Sequence, residues 1–164
     1  MGIEIERKYL VKEAEWRSHK ASLPSQSLRG EKYCQGYIPT NNRTTVRLRI
    51  AGDRGYITLK GKTTGHTRSE FEYPIPVQDA QEMLTTLCDK PLIEKLRYKV
   101  LFGNLVWEVD EFLGDNQGLI IAEVELTSEA QQIDLPYWIE REVNDKKYYN
   151  FYLTKHPYSQ WKDK

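Results

Sequence analysis

The stretch Ile3-Glu4-Ile5-Glu6-Arg7-Lys8-Tyr9-Leu10 near the start of the chain alternates charged and apolar residues. Successive side chains of a β-strand point to opposite faces of the sheet. A strand in this position therefore places Glu4, Glu6 and Lys8 on one face and most of the apolar side chains on the other. A sheet exposed to solvent can also have a charged face. This segment alone therefore does not indicate a function, and the pattern becomes informative only if other segments repeat it.

The same alternation recurs in six later segments, and each presents two ionisable side chains of one sign. The basic pairs are Arg47 and Arg49, Lys60 and Lys62, and Lys95 and Arg97, and the acidic pairs are Glu70 and Glu72, Glu108 and Asp110, and Glu123 and Glu125. A solvated face would mix signs, because opposite charges attract across strands and like charges repel. Grouping by strand therefore favours charged faces that meet around a charged ligand.

The chemistry of these pairs indicates what that ligand is. Converging Lys and Arg side chains predict an anion with several charges, and phosphate suits both the planar fork of Arg and the point charge of Lys. Paired carboxylates predict a hard divalent cation, Mg²⁺ or Mn²⁺. Because an unpaired buried charge costs several kcal/mol, the site must be water-filled and partly neutralised by its own acids. We therefore expect a site for a metal-bound polyphosphate chain.

Turn residues bound eight predicted strands and several amphipathic helical segments. The strands are expected at Ile3–Val11, Tyr33–Pro39, Thr44–Ile50, Tyr56–Lys62, Thr67–Ile75, Ile93–Phe102, Leu105–Phe112 and Gly118–Leu126. Helices are expected at Glu13–Leu23, at Gln78–Cys88 with Asp79 as N-cap, briefly after Ser128, and at Asp145–Lys155. The predicted class is α+β, mainly antiparallel β. Closure into a barrel is favoured because it removes exposed edges, with helices covering the apolar outside and charges lining the inside.

Composition limits the partners of this chain. Lys plus Arg and Asp plus Glu each number 24 in 164 residues, so the formal net charge is zero. A balanced chain has no general attraction to nucleic acid or to an anionic membrane. There is neither a membrane-length apolar run nor a signal-peptide pattern, so we expect a cytoplasmic protein with one domain over residues 1–164. Cys34 and Cys88 are expected to be free thiols, and the oligomeric state stays open between monomer and homodimer.

The opening Glu4-Ile5-Glu6-Arg7-Lys8 resembles the ExExK signature of the CYTH superfamily, the triphosphate tunnel metalloenzymes, in a bacterial stand-alone single-domain form. The resemblance continues in order through Gln35-Gly36-Tyr37, Val46-Arg47-Leu48-Arg49, Leu59-Lys60-Gly61-Lys62, Glu70-Phe71-Glu72, Lys95-Leu96-Arg97, Glu108-Val109-Asp110, Glu123-Val124-Glu125 and residues 142–150. It implies an eight-stranded antiparallel barrel that forms a tunnel, with helices outside, a C-terminal helix, and metal-dependent action on triphosphate compounds.

The resemblance also implies roles for single residues. The phosphates would be held by Lys8, Arg47, Arg49, Lys60, Lys62, Lys95 and Arg97. The activating metal would be held by Glu123 and Glu125, with Glu70, Glu72, Glu108 and Asp110 as further ligands or support. Glu4 and Glu6 would bind metal or orient water, and Lys8 or Lys62 would stabilise charge near the scissile oxygen.

The preferred activity is hydrolysis of inorganic tripolyphosphate, the smallest ligand that satisfies such a site. A nucleotide would need a base pocket, and the four Trp residues are interpreted first as packing. The leading alternative is a class IV-type adenylate cyclase, in which the ribose 3′-hydroxyl replaces water, followed by a thiamine triphosphatase or a nucleoside triphosphatase. Outside enzymes, a polyphosphate-binding module is an alternative, but repelling carboxylate pairs contribute nothing to binding an anion alone.

Overall fold

The computed structural model describes residues 2–24, 29–41 and 43–162. In chain order the strands are β1 Ile3–Val11, β2 Glu31–Ile38, β3 Thr45–Ala51, β4 Arg54–Lys60, β5 Thr67–Ile75, β6 Ile93–Phe102, β7 Leu105–Phe112, β8 Ile120–Glu125 and β9 Ile139–Val143. The α-helices are α1 Glu13–Ala21, α2 Val77–Thr86 and α3 Asn150–Leu153, and short 3₁₀ segments lie at Gly114–Asn116, Lys146–Tyr148 and Tyr158–Gln160.

Eight strands pair antiparallel in a closed ring, in the order β1-β5-β4-β3-β2-β6-β7-β8 and back to β1. The first half of β1 closes the ring, since residues 3–5 pair with residues 67–69 of β5. The second half pairs with β8 through residues 6–10 and with β9 through residues 8–11. Along one edge of β1, the neighbouring strand therefore changes from β5 to β9, and β9 lies outside the ring. The predicted eight-stranded antiparallel barrel is confirmed.

Two hairpins of the ring turn on glycine. β3 and β4 are joined by Gly52-Asp53, and β6 and β7 by Gly103-Asn104. The φ angles of Gly52 and Gly103 are 62° and 63°, in the left-handed region that glycine adopts without a steric penalty. The second of these two-residue turns was predicted, and the first is shorter than the five-residue turn that we expected.

The apolar faces of the strands point outward and are covered, as predicted. Trp16 of α1 is fully buried and packs edge-on against Trp138. Leu84 of α2 packs in a separate cluster with Leu48 of β3. Leu153 of α3 lies in a third cluster against β6 and β8. The hydrophobic core is thus divided into patches around the outside of the barrel, and the interior is left to the charged side chains.

Two predicted helix signals prove wrong. Pro76, and not Asp79, precedes α2, and Asp79 lies in the first turn, where a negative charge favours the helix dipole. The predicted short helix after Ser128 is absent, and residues 128–138 form turns and irregular structure. Instead, the Gln131 side chain accepts hydrogen bonds from the Thr127 backbone at 2.7 Å and hydroxyl at 3.0 Å. These bonds stabilise a local turn that competes with the helix.

The C-terminal segment is not the continuous helix that we expected over residues 145–155. The Asp145 side chain accepts from the Lys147 backbone N–H at 3.0 Å, which begins a 3₁₀ turn instead of an α-helix. Tyr149 is then extended, with ψ of 136°, and α3 begins only at Asn150. Cys34 and Cys88 are free thiols, as predicted. No helix of the described residues is long and apolar enough to span a membrane.

Candidate active site

A cavity of about 720 Å³ occupies the barrel and opens to solvent. Its wall is built from the inward side chains of the strands, because period-two alternation puts every second residue there. Of the predicted site residues, the cavity is lined by Glu4, Glu6, Lys8, Arg47, Arg49, Lys60, Lys62, Glu70, Glu72, Lys95, Arg97, Glu108, Glu123 and Glu125. The expectation that the ionic faces share one interior channel is therefore confirmed.

Asp110 is the predicted site residue that does not line the cavity. It is almost fully buried and accepts from Arg97 Nε and Nη2 at 2.7 and 2.9 Å. Lys95 Nζ lies 2.8 Å from its second oxygen. Burial raises the pKa of Asp110, but Arg97 and Lys95 outweigh this and lower it overall. Both carboxylate oxygens contact cations, so of the two roles that we expected for Asp110, metal ligand or support, these contacts favour support.

Glu4, Glu70 and Glu125 form a cluster of acids, contributed by β1, β5 and β8. One carboxylate oxygen of each lies within 4.8 Å of the others. Partial desolvation and the nearby Glu4 carboxylate raise the pKa of Glu70 and of Glu125. This repulsion is relieved by a cation between the acids, and carboxylate oxygens are the ligands that Mg²⁺ and Mn²⁺ prefer. The donor set therefore fits a hard divalent metal ion.

Glu4 is the most strongly constrained member of this cluster. Its Oε1 lies 3.2 Å from Arg68 Nε and 3.5 Å from Lys60 Nζ. Burial raises the pKa of Glu4, but the two cations more than compensate, so the pKa is lowered overall. Glu4 is thus held as a carboxylate and remains available as a metal ligand at neutral pH.

Glu123 does not join the cluster, although we expected it to form the metal site with Glu125. It lies opposite Lys8 in the β1–β8 ladder and accepts a hydrogen bond from Lys8 Nζ. Its other oxygen accepts from Arg97 Nη2 at 3.1 Å. Burial raises the pKa of Glu123, but Lys8 and Arg97 lower it well below its usual value. The contacts therefore favour Glu123 as the partner of two cations.

Glu6 lies between these two groups. Lys8 Nζ approaches its Oε1 at 3.3 Å, and Glu125 is its cross-strand neighbour. Burial and repulsion from Glu123 raise the pKa of Glu6 to about 7, against the opposing effect of Lys8. Glu6 is consequently the acid in this wall whose protonation changes near neutral pH.

The basic wall lies mainly on β3, β4 and β6. Arg47 Nη2 donates to Glu72 at 3.1 Å, while its buried Nε has no hydrogen-bond partner among the described residues. Lys60 Nζ lies 3.3 Å from Glu70. Arg49 Nε donates to the neutral side chain of Gln35 at 2.9 Å. Burial, with repulsion from neighbouring arginines, lowers the pKa of Arg49 to about 10. This wall retains positive charge for an anion.

Sequence reasoning missed three lining residues that make site contacts. Arg68 lies two residues before Glu70 on β5, so the same alternation that indicated Glu70 and Glu72 could have indicated Arg68. Gln35 belonged to a quoted motif without an assigned role. Asn150 ended the stretch 142–150 of the resemblance without an assigned role, because the predicted continuous helix hid the start of α3 at this residue. Lys62 follows the end of β4 as an exposed lining residue.

A sequence profile of the CYTH domain matches residues 2–153. The chain belongs to the CYTH domain family. This CYTH protein is 48% identical over 164 residues to an inorganic triphosphatase of Acetivibrio thermocellus, covering 99% of this chain and 100% of the relative. It is 37% identical over 153 residues to an inorganic triphosphatase of Nitrosomonas europaea, covering 90% and 93%. A solved structure of an inorganic triphosphatase, 33% identical, matches it with a TM-score of 0.61 over 92% of this chain and 97% of that chain.

Proposed function

We propose that this CYTH protein is a divalent-metal-dependent inorganic triphosphatase, which hydrolyses tripolyphosphate to diphosphate and phosphate. The observation that carries the proposal is the shared cavity, which holds the Glu4–Glu70–Glu125 cluster together with the basic wall. A highly charged substrate and its metal satisfy both sets of side chains at once. Sequence similarity to two inorganic triphosphatases over 99% and 90% of this chain supports hydrolysis over cyclisation of a nucleotide.

The basic residues bind and orient the phosphate chain in this proposal. Arg47 offers a buried Nε, and Arg49 offers a guanidinium whose hydrogen-bond partner carries no charge. Lys60, Lys95 and Arg97 extend the same wall, and Lys62 is an exposed contact for the incoming chain. Since phosphoryl transfer needs mainly positioning and charge stabilisation, these contacts supply a large part of catalysis.

Glu4, Glu70 and Glu125 would hold Mg²⁺ or Mn²⁺, and the bound ion would act as a Lewis acid toward phosphate oxygens. Glu72, Glu108 and Glu123 support this region through ion pairs with basic-wall residues. Glu72 pairs with Arg47 at 3.1 Å, and Glu108 pairs with Arg97 at 3.3 Å. These pairs hold the cations in place until the substrate competes for them.

We assign Glu6 to the attacking water. Its pKa of about 7 allows it to accept a proton near neutral pH, which is the requirement for a general base. The water oxygen bonds to the terminal phosphorus, its proton passes to the Glu6 carboxylate, and the bond from phosphorus to the bridging oxygen breaks to release diphosphate. Lys8, which contacts Glu6 and Glu123, donates toward the phosphoryl oxygens and stabilises their charge.

Phosphate release from tripolyphosphate, ATP and thiamine triphosphate, with Mg²⁺ or Mn²⁺ and with EDTA as control, tests this proposal. We expect the fastest release from tripolyphosphate, no release with EDTA, and no cyclic AMP from ATP. Binding without turnover would favour a polyphosphate-binding module, and formation of cyclic AMP would identify a cyclase. The proposal retains one domain over residues 1–164, a cytoplasmic location and a monomeric or homodimeric state.

A further inference from the structure

Asn150, the first residue of α3, reaches the barrel interior and joins two of its basic residues. Its Oδ1 accepts hydrogen bonds from Lys95 Nζ at 2.8 Å and from Gln35 Nε2 at 3.2 Å. Gln35 Oε1 in turn accepts from Arg49 Nε at 2.9 Å. Asn150 and Gln35 are both buried, and both line the cavity. The C-terminal segment therefore contributes directly to the wall that faces the substrate.

Lys95 and Arg49 lie at the two ends of this network, and they determine which atom donates and which accepts in each hydrogen bond. Lys95 and Arg49 can only donate, so each requires an acceptor, and here an amide oxygen faces each of them. Once the Gln35 oxygen faces Arg49, its nitrogen must donate elsewhere, and both Asn150 Oδ1 and the Tyr37 hydroxyl accept from it. Asn150 Oδ1 thus restrains Lys95 directly, beside the ion pair of Lys95 with Asp110, and restrains Arg49 through Gln35.

Neutrality distinguishes Asn150 from the other partners of the basic wall. Carboxylates hold Arg47, Lys60 and Lys8, and Asp110 pairs with Lys95 at 2.8 Å, so the amide of Asn150 is a second partner of Lys95 that adds no charge. A carboxylate restrains a cation but also cancels its charge, whereas an amide oxygen restrains it and leaves the charge for an anion. Among the described residues, Arg49 forms no ion pair; it donates to Gln35, and its guanidinium lies 4.8 Å from the centroid of the Tyr33 ring. Burial and the positive charges of nearby arginines lower the pKa of Arg49, which is consistent with an excess of positive charge around it.

We propose that Asn150 is a positioning residue, which orients Lys95 and Arg49 toward the phosphate chain without adding a negative charge beside them. This inference rests on the proposed function, because it assigns these two cations to the substrate. α3 is then a part of the substrate site as well as a cover for the apolar outside of the barrel. Removing the amide disturbs phosphate binding, and replacing it with a carboxylate opposes phosphate binding while keeping both hydrogen bonds.

Two substitutions separate positioning from structural support. Asn150→Asp is nearly isosteric and still accepts from Lys95 and Gln35, so we expect a melting temperature at or above that of the wild type. Its added negative charge should raise KM for tripolyphosphate by about tenfold or more, the equivalent of one hydrogen bond to a charged group. Asn150→Ala loses both bonds, and we expect a lower melting temperature together with a KM raised by about tenfold. kcat and KM are measured separately with Mg²⁺, alongside thermal unfolding.

Thr154→Ala is the matched control. Thr154 lies just after α3, is buried, and has a hydroxyl with no hydrogen-bond partner among the described residues. The loss of its buried methyl group should lower the melting temperature, and KM should not move because no site contact is lost. A wild-type KM in Asn150→Asp, or a loss of activity in Asn150→Ala that follows stability alone with KM unchanged, would overturn the inference.

A failure of the proposed function is distinguishable from a failure of this inference. If the wild-type enzyme releases no phosphate, the triphosphatase assignment falls, and calorimetric binding of tripolyphosphate then tests Asn150 alone. We still expect an affinity about tenfold weaker in Asn150→Asp. Equal affinity for both proteins, or no binding by the wild type, would refute the positioning role.

Discussion

Arg97 binds Asp110 through two parallel hydrogen bonds of 2.7 and 2.9 Å, donated by Nε and Nη2 to the two carboxylate oxygens. Lys95 Nζ shares one of these oxygens at 2.8 Å. Asp110 therefore anchors two cations that face the cavity while being excluded from it. The basic wall depends on an acid that has no contact with the substrate space.

The first prediction is that Asp110→Ala is strongly destabilising. The change leaves Arg97 and Lys95 buried without their shared partner, and breaking a buried ion pair in this way costs about 3–5 kcal/mol. Urea unfolding should show this loss, whereas Asp134→Ala, at an exposed loop position, should remain near the wild type. A loss below about 1 kcal/mol would mean that the two cations find other partners or become neutral.

The second prediction concerns Glu125, which belongs to the acid cluster. Glu125→Gln removes one charged ligand, so turnover of tripolyphosphate should be abolished while the circular dichroism spectrum and melting temperature are kept. Because Glu125 is exposed and makes no ion pair within the described part of the chain, its loss should not disturb packing. Glu140→Gln, on the exposed side of β9, is the control. Normal turnover in Glu125→Gln would remove Glu125 from the metal site.

The third prediction is a pH dependence of stability caused by Glu6. The pKa of Glu6 rises from an ordinary 4.5 to about 7 on folding. Between these values the folded protein binds more protons than the unfolded chain, so the contribution of Glu6 to stability falls as pH increases. Above the folded pKa the full penalty of a buried carboxylate applies.

Glu6→Gln stays neutral and escapes this penalty. In EDTA, its melting temperature should match that of the wild type below about pH 4 and exceed it increasingly toward about pH 8. Other titrating groups are common to both proteins and largely cancel in the difference. Glu82→Gln, on an exposed position of α2, controls for the loss of any one acid. A difference that shrinks with increasing pH would show that the pKa of Glu6 is not raised.

The fourth prediction explains a glycine in β2. A Cβ at Gly36 would lie 2.7 Å from Leu92 Cδ2 and 2.9 Å from Cys88 Cβ, because the segment after α2 packs directly on the strand backbone. Gly36→Ala should therefore cost about 1–3 kcal/mol through overpacking. At Gly61 the nearest atom, Ser69 Cβ, would be 3.4 Å away. Gly61→Ala should lose no more than about 0.5 kcal/mol in the same urea titration, and equal losses would exclude the packing explanation.

The alternation of charges was sufficient to predict the barrel interior, because the two faces of a strand are determined by local backbone geometry. The predicted bounds of β1, β5, β6 and β7 agree with the structure. β9 escaped prediction, since charged residues make up the centre of Ile139-Glu140-Arg141-Glu142-Val143 and its pairing depends on the exposed edge of β1. The formation of β9 is therefore determined by its pairing with β1 and not by its local sequence.

The grouping of side chains within the site could not be predicted from alternation. Glu123 and Glu125 are equivalent in the pattern, yet the register of β8 on β1 places Glu123 opposite Lys8 and Glu125 opposite Glu6. The register between these distant strands therefore makes Glu123 the partner of a lysine and Glu125 a member of the acid cluster. Asn150 required still more, because its role depends on where a broken C-terminal helix meets the barrel.

The exchange of β5 for β9 along one edge of β1 has a consequence for biosynthesis. β1 leaves the ribosome before its partners β5, β8 and β9, so its pairing is completed only when residue 143 has emerged. At common rates of translation this wait lasts on the order of ten seconds. Alternating charges keep an unpaired strand soluble and discourage its addition to other chains. We therefore expect the glutamates and the lysine of β1 to limit aggregation of the nascent polypeptide before they reach any substrate.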